Sequence, residues 1–210
     1  MRPTGVRQRI QELRDQEQEQ VRARPQLALR RELTDFIHGC ALLSYGDVSG
    51  SGLIEPYRKV LALWNEPTQH RTGSRFERMS FDCIEQLRVC EPLAEVAAGP
   101  QRDAVRDDDA AGPVFARIPP SVLVGRDTPD AHFPMACLNA AGSLLDDVIT
   151  PYRASLLITS VGYFEPTEER ELLAAMKTLR VRYEDHPQGR LAVDDDITRE
   201  LRTWFEAVPL

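Results

Sequence analysis

Prolines cut this chain at short intervals, and between them the apolar residues recur with helical period. Pro25, Pro56, Pro92, Pro151 and Pro187 each sit at the edge of such a stretch. A proline there either ends a helix, because it lacks the N–H of the i→i−4 bond, or opens one, where that N–H has no partner anyway. The prolines divide the chain into short segments whose type has to be read one by one. At 210 residues and 42% hydrophobic content the chain can bury a real core.

The first half reads as helices throughout. Val6 to Arg24 is rich in Gln, Glu and Arg, with Val6, Ile10, Leu13 and Val21 near one face. Glu17 interrupts that stripe, so a coiled coil is not supported. Pro25 ends the segment, and Leu27, Leu33, Phe36, Ile37, Cys40 and Leu43 then form a broad apolar face. Pro56 fits the first turn of the next helix, ahead of Tyr57, Val60, Leu61 and Trp64. Residues 65–74 read as a loop. A third pattern covers residues 75–98, with Phe76, Met79, Cys83, Leu87 and Cys90 inward and Pro92 bending it. Residues 1–25 are therefore expected as an exposed polar arm and 26–98 as a helical bundle.

The second half reads differently. Residues 99–112, "GPQRDAVRDDDAAG", combine Gly, Pro and Asp with little apolar content and suggest an acidic, flexible linker. Beyond it, "PVFARIPPSVLVG" offers two short β-like runs around Pro119 and Pro120. A helix is expected over 134–150, ended by Pro151. The β-branched and aromatic run "ASLLITSVGYF", 154–164, reads as a strand, though a buried helix fits its apolar content nearly as well. Thr167 is the expected N-cap of a further helix, and Asp194 to Asp196 favour the N-terminal end of the last one. The fold class is thus mainly α, an N-terminal helical bundle followed by a smaller α+β part with short strands over 113–210.

Composition narrows the function classes. No apolar stretch approaches the roughly 20 residues of a membrane span. The first residues lack the apolar core of a secretory signal, so a cytoplasmic protein with Cys40, Cys83, Cys90 and Cys137 as thiols is expected. Residues 1–31 hold eight Arg against four acids, leaving a body more acidic than the overall charge of −7. That arm mixes acids and Gln with its Arg and has no aromatic to stack on a base, which argues against nucleic acid and for a protein partner or self-association.

The stretch "YGDVSGSGLIEPYR", 45–58, resembles an EF-hand calcium loop in part. Asp47, Ser49, Ser51, Gly52 and Ile54 take its first, third, fifth, sixth and eighth positions, with Glu55 at the ninth. The resemblance implies calcium ligands at Asp47, Ser49, Ser51 and Glu55, but Arg58 stands where the bidentate Glu belongs. A second loop at Asp107, Asp109, Gly112 and Val114 fails at Ala111 and Ile118. Neither a P-loop nor a hydrolase elbow fits, and the alternative is a plain helix-to-helix turn.

Three function classes follow. The first is a non-catalytic interaction or assembly protein using its polar N-terminal helix. The second is an enzyme: Asp146 and Asp147 lie among Leu144, Leu145, Val148 and Ile149, so one must turn inward, where a carboxyl of raised pKa working with His132 is a catalytic candidate. The bland alternative pairs one of them with an arginine such as Arg153. The third is a divergent calcium-responsive module, and outside that reading no cofactor is expected. His132 with Cys137 matches no standard zinc spacing.

Overall fold

The computed structural model describes residues 22–66, 72–99, 104–164 and 169–208, together with 11–13, 15, 16, 19 and 20. The helices are α1 (Ala28–Ser44), α2 (Ile54–Trp64), α3 (Arg75–Arg88), α4 (Glu91–Ala98), α5 (Ala104–Leu123), α6 (His132–Leu145), α7 (Pro151–Val161), α8 (Arg170–Asp185) and α9 (Arg190–Ala207). Short 3-10 turns precede or follow several of them, as at Ser51–Leu53. Among the described residues there is no strand, so the expected α+β part is replaced by helices.

Two corrections account for that change. "ASLLITSVGYF" is not a strand but most of α7 and the turn Gly162–Phe164. Thr150 caps α7, its side chain accepting the Arg153 N–H at 3.2 Å, and Pro151 takes the first helical position. Pro151 therefore starts a helix rather than merely ending one. The "PVFARIPPSVLVG" strands are the second half of α5, which carries Pro113, Pro119 and Pro120 inside it. Each interior proline costs about 3 kcal/mol of helix stability. Burial offsets this, since Ala111, Val114, Phe115 and Ile118 recur at helical spacing and all turn inward. Residues 104–112, expected within a linker, form the first half of the same helix.

α6 is the axis of the molecule. Every residue from His132 to Leu144 is buried, the polar His132, Asn139 and Ser143 among them. It packs against α1, α5, α7 and α9, while α8 closes over α7 and α9. On the other flank α2, α4 and α5 surround α1 and α3, and Phe36, Tyr57 and Phe115 meet there with ring centroids 5.2 to 5.7 Å apart. The expected helix over 75–98 is two helices, and Pro92 lies in the first turn of α4. The expected cap at Thr167 lies outside the described residues, as do Val6, Ile10, Glu17 and Val21. Asp194 to Asp196 sit one turn inside α9 rather than at its start. Among the described residues no helix is long and apolar enough to cross a membrane.

Candidate functional site at the C-terminal end of α6

The polar chemistry of the body concentrates between α1 and the end of α6. Thr34 Oγ1 lies 2.8 Å from Ser143 Oγ, and Asn139 Nδ2 donates to the Thr34 carbonyl at 2.8 Å. One turn further along, Arg30 is 2% exposed and its Nη2 donates to Asp146 Oδ2 at 3.1 Å. Ser74, the N-cap of α3, donates its hydroxyl to the same oxygen at 2.6 Å and accepts the Glu77 N–H at 2.9 Å. Glu77 is itself 2% exposed, and its carboxylate accepts the Thr72 and Gly73 N–H groups at 3.0 and 2.7 Å. Three helices therefore meet on one carboxylate.

The Arg30 guanidinium lies over the rings of Phe76 and Phe81, at 5.3 and 5.9 Å. Burial pulls its pKa below the ordinary arginine value, and the charges of Asp146 and Glu77 oppose that pull. Two more arginines hold the same helix end: Arg24 Nη1 donates to the Asp147 carbonyl at 2.9 Å, and Arg31 Nε to the Val148 carbonyl at 3.4 Å. Three cations at a helix C-terminus complement its negative dipole end.

Asp147 holds this end together through its backbone. Its φ is 57°, in the left-handed region, while its N–H bonds the Leu144 carbonyl at 3.0 Å and the next N–H, of Val148, bonds Ser143 at 2.8 Å. That is the Schellman closure of a helix, with an aspartate where glycine is usual. Beside it opens a cleft of about 500 Å³, bordered by Arg24, Gln26, Thr72, Ser74, Asp146 and Asp147.

The expected catalytic set does not converge. His132 opens α6 and Asp146 caps its far end, so about 20 Å of helix separates them at 1.5 Å per residue. His132 is buried, its Nδ1 without a partner among the described residues, and burial lowers its pKa against the opposing charge of Asp127. Asp146 faces inward, and its arginine is Arg30 rather than Arg153, which pairs with Asp35 at 2.9 Å.

The loop after α1 directs its oxygens into the chain. Ser49 Oγ lies 3.0 Å from Ser51 Oγ and accepts the Gly52 N–H at 3.1 Å, while the Ser51 N–H reaches Asp108 Oδ1 at 2.9 Å. Asp47 and Glu55 are exposed, and Glu55 pairs with Arg58 at 3.3 Å. Arg58 also donates to the carbonyls of Val96, Ala97 and Gly99, closing the end of α4. Asp107 and Asp109 lie within α5, not in a loop. Among the described residues no group of three or more His, Cys, Asp or Glu is placed to hold a metal ion. Cys40, Cys83 and Cys137 are buried in the core, and burial pushes the Cys83 thiol up to about 12.

Arg30, Ser74, Arg24 and Asp108 were not anticipated. Arg30 left one sequence trace, since it stands three residues before Leu33 and seven before Ile37, on the inner stripe of α1. Compared with known proteins, the chain matches no family model, and neither a curated protein nor a solved structure is significantly similar to it.

Proposed function

We propose that the chain is a non-catalytic interaction or assembly protein whose contacting element is its polar N-terminal segment. The observation that supports this reading is how the described residues of that segment sit. Leu13 is 5% exposed, whereas Gln11, Glu12, Asp15, Gln16, Glu19 and Gln20 are exposed, and all are helical. Among the described residues of the segment, one buried anchor beside exposed polar side chains suits a helix that meets a partner, or a second copy, through charge pairs and amide hydrogen bonds. At the segment's end, Arg24 fastens it to the Asp147 carbonyl. Cys40, Cys83, Cys90 and Cys137 are all unpaired, which suits a reducing compartment such as the cytoplasm.

Light scattering on the full chain and on a chain starting at Gln26 tests the reading. The full chain should form a larger species, alone or with a protein captured from lysate, and the shortened one should not. Monomers in both cases, with no partner captured by either, would sink the proposal.

A further inference from the structure

We propose that the cleft at the end of α6 binds a small zwitterion, with its ammonium group toward Asp146 and Asp147 and its carboxylate toward Arg24. The proposal goes beyond the assembly reading and is independent of it. Its first support is the state of Asp146. This side chain is only 10% exposed yet borders the cleft, and both of its hydrogen bonds fall on Oδ2. A carboxylate has about four lone-pair sites, so Oδ1 keeps acceptor capacity that no described residue takes up. Arg30 and Ser74 hold the group through Oδ2, which fixes it in place for a ligand.

The charge pattern selects the ligand class. Asp147 is exposed, and its carboxylate accepts no hydrogen bond among the described residues. With Oδ1 of Asp146, it makes one side of the cleft attractive to a cation. Arg24 stands in the same cleft with one of its five N–H donors on the Asp147 carbonyl, leaving the others for an anion. A simple amine would meet the repulsion of Arg24, and a simple carboxylate that of Asp147, Asp146 being already paired with Arg30. A molecule carrying both charges satisfies both sides. Gln26 and Thr72 add neutral donors and acceptors, and a cleft of about 500 Å³ is in the range of small-molecule sites.

The test is a heteronuclear NMR titration of the full chain with glycine, β-alanine and γ-aminobutyrate, and with ethylamine and acetate as half-molecules. At least one of the three zwitterions should saturate shifts at residues 145–148 and bind about tenfold or more tightly than either half. Arg24→Gln and Asp147→Gly should each weaken that binding about tenfold. Asp147→Gly keeps the falsification clean, because glycine suits the left-handed position and the variant should melt no lower than the parent. Saturation by none of the three, equal binding of a half-molecule, or unchanged affinity in Asp147→Gly would each overturn the proposal.

Discussion

α1 and α6 end in the same way with different residues. At the end of α1, Gly46 has φ 76°, its N–H bonds Leu43 at 3.0 Å and the next N–H, of Asp47, bonds Leu42 at 3.1 Å. At the end of α6, Asp147 makes the same two bonds at φ 57°. Glycine takes that conformation freely, whereas a side chain there costs about 1 kcal/mol. The α1 end leads into a turn that docks on α5, and glycine there answers only to geometry. The α6 end is gripped by Arg24, Arg30 and Arg31, and an aspartate stands on it despite the strain. The same backbone motif is thus a plain turn in one place and a charged junction in the other.

The largest effect that tests this contrast is expected at the junction itself. Asp146→Ala leaves the buried Arg30 cation without its carboxylate and should cost about 3–5 kcal/mol in urea unfolding. A loss under about 1 kcal/mol would mean that the junction carries no more than an ordinary cap. On the turn side, a Cβ at Gly50 would lie 2.5 Å from Gly112 Cα, while a Cβ at Gly112 would lie 3.9 Å from Gly50. Gly50→Ala should therefore cost about 1–3 kcal/mol. Gly112→Ala, inside α5, should instead add about 0.5–1 kcal/mol through helix propensity. Equal losses at the two positions would show that the turn is not seated on α5 in this way.

Smaller still is the exchange of the two caps. Asp147→Gly should raise stability by about 0.5–1 kcal/mol, and Gly46→Asp should lower it by about 1. A stability loss in Asp147→Gly would show that the Asp147 side chain contributes more to the fold than its strained backbone costs.

At neutral pH the smallest effect belongs to the other flank of α1, where His38 Nε2 lies 3.1 Å from Ser160 Oγ on α7. Burial holds its pKa at about 4, helped by the charge of Arg153 and opposed by Asp35. The unfolded chain takes up a proton near pH 6.5, before the folded one does, so stability is complete above that pH and falls as pH drops toward about 4. His38→Gln should flatten thermal melts over that window and leave them unchanged at pH 8. An unaltered acid slope would place the titrating group elsewhere.

Much of the helical order was legible in the sequence. The stripe of α1, the placing of Pro56 in the first turn of α2 and much of the inward face of α3 came from spacing alone. Where the reading failed, local and long-range signals disagreed. In α5, Ala111, Val114, Phe115 and Ile118 have a clean helical period, but the paired Pro119 and Pro120 argue against a helix until tertiary burial is counted. In α7 the β-branched content suggests a strand, and Thr150 before Pro151 reads as the end of the preceding helix rather than as a cap. The junction was legible only in halves. Asp146 had to face inward by its apolar neighbours, but its partner lies 116 residues away, and no local pattern names it.

Three prolines make α5 a conditional helix. They leave the carbonyls of Asp109, Phe115 and Ala116 without the usual i+4 donor, so residues 104–123 should be a random coil when excised as a peptide. Their helicity exists only while α1, α3, α4 and α6 are in contact with them. The segment has no partly folded form to fall back on. Its hydrogen-bonded amides beyond the first turn should then exchange with solvent only when the whole protein opens, which makes α5 a reporter of global rather than local unfolding.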